Sequence, residues 1–586
     1  MVQRLQPAGT LPTEHSPLIN ETGRPNLGPL ASSEPNINGN GKSITNVAVK
    51  RVDESDEESV ASGEVETQIE RGQVVRIISV LLIGIFVAHT DGSILLATHS
   101  NIASEFNALS DSTWLITSFA LAGAATQTIY GKLSDIYGRR TLVLVAYSIF
   151  VIGCAMVGLG QTYWQVILGR VISGAGASGM AGLVSILIAD LLPIREVAQW
   201  RAYVNLVATF GRSIGGPLGG WLVDVIGWRW SFFGQVPIIL VAILLVTAYL
   251  PNITSKGSNS ATSAETDSSG LKKSKLSRID FKGSFLFALM ILSLMTATEL
   301  GGEKYPWSHP LIISMFALGI ILIFVFVKVE QEQEEPILPL EIFHQRDAVF
   351  SYIIISLQTA AQLGLMFSVP LYFRITQGAS NTVSGAHLVP AVVGNAIGGV
   401  LSGVIIKRSG RYKALTVFAV TASSFSYLLL LLRWHGSTNF WESLYIFPGG
   451  FGTGVAQSAV FISLQAVVDV AHMAPAVSFM YLSTTIASTA GLCISGAVEG
   501  AAVRYILHNR LVDLGFGAEK IRQIILDAIS DVDFVDHISE PIKEAVVSSY
   551  VYALWWTHIV SFLFSFSAFV LALFIRQRRL AGLVSS

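Results

Sequence analysis

A short polar segment lies between two long apolar stretches and reads Gly131-Lys-Leu-Ser-Asp135-Ile-Tyr-Gly138-Arg139-Arg140. Its glycines allow a tight turn, and they flank an acid and a basic pair. A carboxylate such as Asp135 can bind Arg139 and the nearby helix ends in one conformation and release them in another. The spacing therefore predicts a conformational latch made of Gly131, Asp135, Gly138, Arg139 and Arg140.

The chain on both sides of this segment is strongly apolar. Of its 586 residues 51% are hydrophobic and only 13% are charged, whereas soluble domains carry about 25% charged residues. A helix needs about 20 mostly apolar residues to span a bilayer. About fourteen such stretches occur, at 75–98, 112–131, 141–159, 164–190, 198–224, 230–250, 281–301, 310–328, 348–372, 383–406, 414–432, 441–467, 473–501 and 549–574. We therefore expect an all-α membrane protein whose transmembrane domain covers 75–575.

The distribution of Lys and Arg predicts the orientation of these spans. Short loops on one side hold most of the basic residues, among them Lys132, Arg140, Arg195 and Lys407. Because cytosolic loops are enriched in Lys and Arg, that side is expected to face the cytosol, with both termini.

The polar segments outside the spans also carry predictions. Residues 1–70 read as a disordered cytosolic tail, 251–280 as a flexible cytosolic linker, 504–548 as a non-cytosolic loop and 576–586 as a short cytosolic tail. In the first tail, Glu14, Leu18 and Ile19 have the spacing of an acidic dileucine sorting signal, which a sorting adaptor would bind.

The long loop near the C-terminus is predicted to contain a helix. Its apolar residues Ile521, Ile524, Ile525, Ala528 and Ile529 fall at helical spacing. Polar residues occupy the positions between them, so the helix should be amphipathic.

Two charged residues inside the spans are expected to meet. An arginine within a bilayer costs about 2.5–3.5 kcal/mol on insertion scales, so Arg170 should face a cavity or an acid, with an interfacial position as the alternative. Asp91 lies about 10 Å, and Arg170 about 9 Å, inside the non-cytosolic ends of their helices. The matched depth makes Asp91 and Arg170 a candidate site for protons and cationic cargo. Glu499, in the thirteenth span, is a further candidate.

The fifth span contains many small residues and reads Gly211-Arg212-Ser-Ile-Gly215-Gly216-Pro217-Leu-Gly219-Gly220. Glycines at this density let helices pack closely, and Pro217 removes a backbone hydrogen bond and bends the helix. Close packing through Gly211, Gly215, Gly219 and Gly220 is therefore expected.

These motifs resemble those of the major facilitator superfamily. The first segment fills the family pattern G-x-x-x-D-x-x-G-R-R, and a degenerate copy recurs as Gly403-Val-Ile-Ile-Lys407-Arg408-Ser-Gly410-Arg411. Gly169-Arg170-Val-Ile-Ser-Gly174 resembles the family's R-x-x-x-G motif. The fifth span is similar to the antiporter motif G-x-x-x-G-P-x-x-G-G, with the proline one place late. The stretch from Ala88 to Phe106 looks like that of fungal vacuolar basic amino acid permeases, in the fourteen-span drug:proton antiporter branch.

The resemblance implies a fold and a function. The fold would have two pseudo-symmetric halves plus two extra central helices, with the first and fourth spans as neighbours. The function would be the movement of basic amino acids from the cytosol into the vacuole in exchange for protons. A plasma-membrane efflux pump for drugs or metabolites shares every motif. A nutrient receptor that binds without transporting is a further alternative.

Composition argues against other classes of protein. Lys and Arg total 38 against 40 Asp and Glu, so no basic excess favours nucleic acid. The two cysteines lie in apolar stretches, which gives no basis for a disulfide framework or a metal site. No cofactor and no enzymatic activity are expected, and ATP is not the expected energy source because no G-x-x-x-x-G-K-[ST] loop occurs.

Overall fold

The computed structural model describes residues 71–108, 112, 114–251, 280–301, 305–333, 336–379, 381–530, 538, 540–578 and 580. In these ranges the chain forms helices and no β-strand. The predicted sorting signal at Glu14, Leu18 and Ile19 lies outside the described residues, as do nearly all of the linker and the last six residues of the C-terminal tail.

The first half of the chain folds into a helical bundle, as its long apolar stretches predict. Its helices are α1 (Arg71–Glu105), α2 (Trp114–Tyr137), α3 (Arg139–Leu159), α4 (Tyr163–Leu191), α5 (Ile194–Ile226), α6 (Trp228–Phe233) and α7 (Gln235–Tyr249). The predicted sixth span consists of α6 and α7, which meet at Gly234.

A helical pair and a second bundle follow. The pair is α8 (Phe281–Leu300) and α9 (Pro310–Glu332). The second half contains α10 (Arg346–Gln377), α11 (Asn381–Ala386), α12 (Val389–Ser409), α13 (Lys413–Arg433), α14 (Phe440–Ser443), α15 (Phe447–Gln465), α16 (Met473–Asp513), α17 (Ala518–Ser530) and α18 (Ile542–Phe574).

Each of the fourteen predicted spans coincides with a helix in the described part of the chain. Eleven helical segments there are long and apolar enough to cross a membrane by length and composition. The other three spans correspond to α2, α5 and α15, which contain more small and polar residues. Small residues allow close helix contact, which suits helices that pack inside a bundle.

The helix contacts repeat between the two halves. In the first half α1 packs on α5 and α7, and α4 packs on α2 and α3. In the second half α10 packs on α16 and α18, and α15 packs on α12 and α13. The halves meet through α5 with α12 and through α2 with α16, while α8 contacts α2 and α16. This arrangement has the pseudo-symmetry and the two extra helices that the sequence predicts.

Among the described residues, a buried apolar cluster packs the two halves together on one side. We call this side the basic face, because Lys132, Arg139, Arg140 and Lys407 lie there; the other side is the opposite face. On the basic face one buried apolar cluster joins Leu187 of the first half to Phe461 of the second. On the opposite face the first half has its own cluster around Phe232, and the second half has another around Trp434. The described conformation is therefore closed on the basic face.

The C-terminal predicted loop is shorter than 504–548, because α16 continues to Asp513 and α18 begins at Ile542. Between them α17 is the predicted amphipathic helix. Its residues Ile521, Ile524 and Ala528 are buried in a cluster with α16 and α18.

A polar contact ties the end of α1 to α6 on the opposite face. The indole of Trp228 donates to Oε2 of Glu105 at 2.6 Å, and Arg229 donates to Oε1 at 2.8 Å. Partial desolvation opposes the charge of Glu105, but these two donors outweigh it and hold the pKa of the carboxyl below its usual range.

Candidate functional site

Asp91 of α1 and Arg170 of α4 form a buried ion pair inside the first half. Nη1 of Arg170 donates to Oδ2 of Asp91 at 2.7 Å, and neither side chain has any exposed surface. Nε2 of Gln235, in α7, donates to Oδ1 of Asp91 at 3.2 Å. Both carboxylate oxygens are therefore occupied, and the contact expected from the matched depths is confirmed.

Aromatic rings enclose the arginine of this pair. The guanidinium of Arg170 lies 4.3 Å from the ring centre of Phe119 and 5.6 Å from that of Phe232. Its Nε donates to the carbonyl of Leu115 at 3.4 Å, and its Nη2 has no hydrogen-bond partner among the described residues. Arg170 thus faces an acid, and the alternative of an interfacial arginine is wrong.

The glycines of α5 bring this helix against α1 beside Asp91. A methyl group on Gly211 would lie 2.8 Å from the carbonyl oxygen of Phe86, and one on Gly215 would lie 2.6 Å from that of Thr90. One on Gly219 would lie 3.0 Å from the Cα of Ile94.

The last residues of the predicted motif behave differently. A methyl group on Gly220 would meet nothing within 4 Å among the described residues, so its expected packing role is not observed. Pro217 lies inside the helix, as expected. Because three glycines hold the backbones of α1 and α5 in contact, a movement of α5 must act on the helix that carries Asp91.

The predicted latch forms within the first half, on the basic face. Gly138 adopts a φ of 89°, which favours glycine, and it lets α3 start directly after α2. Nη2 of Arg139 lies 2.7 Å from Oδ1 of Asp135, so the predicted contact is confirmed. Arg139 also pairs with Asp190 at 2.8 Å, and Arg140 donates to the carbonyl of Thr247 at 2.6 Å.

Asp190 was missed by the sequence analysis. Its only signal is an acid at the end of an apolar stretch, just before Pro193 and the basic Arg195. Arg139 lies between the two carboxylates and is buried. The contact of Asp135 with Arg139 thus lies inside the first half. The contact of this segment with the second half is made at Gly131.

Contacts between the halves use both copies of the segment. A methyl group on Gly131 would lie 2.5 Å from Oγ of Ser478 and 3.0 Å from the carbonyl oxygen of Ala474, both on α16. One on Gly403 would lie 2.8 Å from the Cα of Gln199 on α5. Both glycines therefore permit the close approach that closes the basic face.

The degenerate copy also supplies an ion pair between the halves. Nζ of Lys407 lies 3.2 Å from a carboxylate oxygen of Glu196 and donates to Oε1 of Gln199 at 3.1 Å. Lys407 stands where the first copy has Asp135. The exchange of acid for base thus turns a contact within one half into a contact between halves.

A second layer of contacts lies deeper in the membrane, along α5. Arg201 donates to Oγ of Ser185 at 2.5 Å and to the hydroxyl of Tyr481 on α16, and its guanidinium lies 4.1 Å from the ring centre of Phe461 on α15. Nδ2 of Asn205 donates to Oδ1 of Asn395 on α12 at 2.7 Å. These residues form a polar seal that the apolar pattern of the spans does not indicate.

Glu499 lies in the second half, on α16, and does not join Asp91 and Arg170. It is buried, and its Oε2 has no hydrogen-bond partner among the described residues. Ser495, one turn earlier, and Ser561 of α18 both approach Gly364 of α10. The three predicted residues therefore form two separate sites.

The second half holds a neutral pair at the position that corresponds to Asp91 and Arg170. Oγ1 of Thr453 on α15 donates to Oε1 of Gln362 on α10 at 3.1 Å, and both side chains are buried. Helices α10 and α15 correspond to α1 and α4 in the repeat of helix contacts. The ion pair of the first half therefore has a neutral counterpart on the corresponding helices of the second half.

Two pseudo-symmetric helical bundles that close on one face, with an ion pair buried in the first, define a membrane transporter. The family profile of the Major Facilitator Superfamily matches residues 81–492. The chain belongs to this superfamily.

Three relatives align with most of the chain. The chain is 29% identical to the vacuolar membrane amino acid uptake transporter fnx2 of Schizosaccharomyces pombe, over 86% of this chain and 85% of the relative. It is 27% identical to the multidrug resistance protein fnx1 of the same organism, over 86% and 92%. It is 26% identical to the vacuolar basic amino acid transporter 2 of Saccharomyces cerevisiae, over 79% and 98%.

Proposed function

We propose that this transporter is a proton-coupled antiporter of the vacuolar membrane that moves basic amino acids from the cytosol into the vacuole. The basic face would then be cytosolic, as the distribution of Lys and Arg predicts. Two relatives named for vacuolar amino acid transport support the location and the cargo. The observation that carries the proton coupling is the fully buried pair of Asp91 and Arg170.

A proton can change the strength of this pair. While Asp91 is ionised, its charge and that of Arg170 cancel, and the pair holds α1 against α4. A proton from the acidic vacuolar lumen would neutralise the carboxyl and leave Arg170 without a counter-charge. Release of the proton would restore a negative site that attracts Arg170 or a cationic cargo.

The change at Asp91 can reach the basic face through α5. Glycines hold the backbones of α1 and α5 in contact beside Asp91, and the same helix carries Arg201 and Asn205 in the seal between the halves. Loosening of α1 would therefore act on the contacts that close the cytosolic side. Coupling in this scheme is mechanical, through one rigid helix between two sites.

The alternative function is efflux of drugs or metabolites across the plasma membrane. The relative named as a multidrug resistance protein aligns with the same share of this chain as the vacuolar amino acid uptake transporter does. The two functions differ in membrane and in cargo, and both can be measured.

Transport by isolated vacuolar vesicles tests the proposal. Vesicles from cells that express the protein, and from cells that lack it, are supplied with radiolabelled lysine, arginine or histidine. We expect uptake that needs both the protein and the proton gradient, and that a protonophore abolishes. The same vesicles with Asp91→Asn should lose the dependence on the gradient. Gradient-independent uptake by the unmutated protein would contradict proton coupling.

Location is tested separately with a fluorescent fusion. The unmutated fusion is expected in the vacuolar membrane, and the double substitution Leu18→Ala and Ile19→Ala is expected to misroute it. A fusion found at the cell surface would favour the efflux pump. Correct sorting of the double mutant would show that Glu14, Leu18 and Ile19 are not a sorting signal.

A further inference from the structure

One stripe of α5 faces the second half of the protein. Arg201, Asn205, Thr209 and Arg212 follow one another at intervals of four, four and three residues, which places them on the same side of a helix. The first three contact the second half. Arg201 meets Tyr481, Asn205 meets Asn395 at 2.7 Å, and Oγ1 of Thr209 lies 3.5 Å from the same amide oxygen.

Arg212 is the next residue on this stripe, one turn beyond the seal, and it is unpaired. Its side chain is exposed, and no described residue forms a hydrogen bond or ion pair with its guanidinium. Asp91, the acid on the facing helix α1, accepts hydrogen bonds from Arg170 and Gln235 and not from Arg212.

Arg212 lies on the side of α5 whose residues Arg201 and Asn205 contact the second half. Of the large apolar residues exposed on α5, Phe210 and Trp221 lie about 160° or more around the helix from Arg212, and Ile226, the last residue of the helix, lies about 40° from it. The glycines that contact α1 and the residues that contact α12 flank Arg212 on either side.

The depth of Arg212 excludes a position at the membrane surface. The residue lies about 27 Å along the helix from Ile194 and about 21 Å from Ile226, near the middle of the span. A charged side chain at this depth is costly and marks a pathway for solute or ions. An arginine held there without an acid is suited to an anion that comes and goes.

We propose that Arg212 binds the carboxylate of the transported solute. A guanidinium presents a planar fork of donors that matches a carboxylate, and such pairs are strong when water is excluded. If the solute is an amino acid, the bound group is its α-carboxylate, so this part of the inference rests on the proposed function. Because Arg212 lies beside the seal, binding of the carboxylate would change the contacts of Arg201 and Asn205.

The contact between Arg212 and the carboxylate is tested by removing the guanidinium from the protein or the carboxylate from the solute. Uptake is measured in vacuolar vesicles with radiolabelled lysine for the unmutated protein, Arg212→Gln and Arg212→Lys. Unlabelled lysine and cadaverine, which is lysine without its carboxylate, serve as competitors. Arg504→Gln is the matched control, since it removes an exposed arginine of α16 far from the stripe.

We expect Arg212→Gln to raise the KM for lysine roughly 10- to 100-fold, the effect of losing a charge-assisted hydrogen bond. Inhibition by cadaverine should be the same for Arg212→Gln as for the unmutated protein. The KM of Arg212→Lys for lysine should lie between those of the unmutated protein and Arg212→Gln. The control should behave like the unmutated protein. An equal loss of lysine and cadaverine recognition, or no loss of either, would overturn the proposal.

A second measurement separates this proposal from the proposed function. The thermal stability of the purified protein is measured with a panel of amino acids, mono- and dicarboxylates and their decarboxylated or amidated analogues. If the unmutated protein does not transport basic amino acids, the proposed function fails. The proposal for Arg212 then requires that some carboxylate stabilise the unmutated protein and not Arg212→Gln. A panel in which no carboxylate acts through Arg212 refutes it.

Discussion

Removing one charge of the pair formed by Asp91 and Arg170 should reduce the free energy of unfolding more than removing both charges. Both side chains are fully buried, and the two closest atoms are 2.7 Å apart. Loss of one partner of a buried ion pair leaves an uncompensated charge and typically costs about 3–5 kcal/mol. Asp91→Asn keeps an acceptor for Arg170, and the rings of Phe119 and Phe232 remain. We therefore expect about 3 kcal/mol for this variant.

Arg170→Gln should be the more damaging of the two single substitutions. It leaves the carboxylate of Asp91 with the single donor Gln235, at 3.2 Å. We expect a loss of stability toward 5 kcal/mol. The double variant, Asp91→Asn with Arg170→Gln, carries no charge and can form an amide contact. Its stability should lie within about 2 kcal/mol of that of the unmutated protein.

Equilibrium unfolding of the purified proteins measures these differences, and transport assigns the role of Asp91. A difference of 3 kcal/mol is about a 150-fold change in the unfolding constant. If the double variant is as unstable as the sum of the single ones, the charges do not interact and the reasoning is refuted. If the double variant regains proton-driven uptake, Asp91 only neutralises Arg170. If it folds but loses the dependence on protons, Asp91 is the proton site.

Four further substitutions test how the two faces are held. Gly131→Val should reduce uptake by about tenfold or more, because overpacking against α16 opposes closure. Gly220→Ala, in open space, should leave uptake unchanged, and equal effects would contradict the packing argument. Lys407→Glu should destabilise the closed basic face by about 1 kcal/mol or less, because the ion pair of Lys407 with Glu196 is partly exposed. A cysteine introduced on the basic face should then react faster with a maleimide. Glu105→Gln should destabilise the opposite face. Folding lowers the pKa of Glu105. The contribution of this carboxylate to the free energy of unfolding is therefore present above the ordinary pKa of a glutamate and is lost as pH falls through the lowered value. Unfolding followed from pH 7 to pH 3 should therefore show the unmutated and mutant proteins converging only at the acid end.

The spans and the central ion pair were predictable because they depend on distance along the chain. Hydropathy over about 20 residues reflects the thickness of the bilayer, and a fixed rise per residue turns position into depth. These two rules give Asp91 and Arg170 nearly the same depth, and the family resemblance implies that their helices are neighbours. The amphipathic helix α17 follows from the helical spacing of its apolar residues. These two rules do not predict where a helix ends outside the membrane. In the structure α16 extends to Asp513, and the loop after it is shorter than predicted.

The seal between the halves could not be predicted in the same way. Asp190 meets Arg139 inside the first half, through the packing of α4 on α3. Arg201, Asn205 and Tyr481 meet their partners only because helices distant in the chain are rotated and closed in one particular conformation. Nothing in the local sequence encodes that rotation. The glycine motif is likewise only partly predictable. An added methyl group would meet α1 at Gly215, and at Gly220 it would meet no described residue within 4 Å.

The two halves of the duplicated fold differ in their buried chemistry. The helices of the second half that correspond to α1 and α4 carry the neutral pair Gln362 and Thr453 in place of the ion pair of Asp91 and Arg170. A buried carboxyl of the second half, Glu499, lies on α16. The copy of the polar segment has changed in a similar way, with Lys407 in place of Asp135, and supplies an ion pair between the halves. In the proposed mechanism a proton would act on the first bundle, and the second bundle would provide partners for closure. A symmetric variant with two neutral pairs would keep the same helix contacts and, on this proposal, would lose the site through which a proton gradient acts.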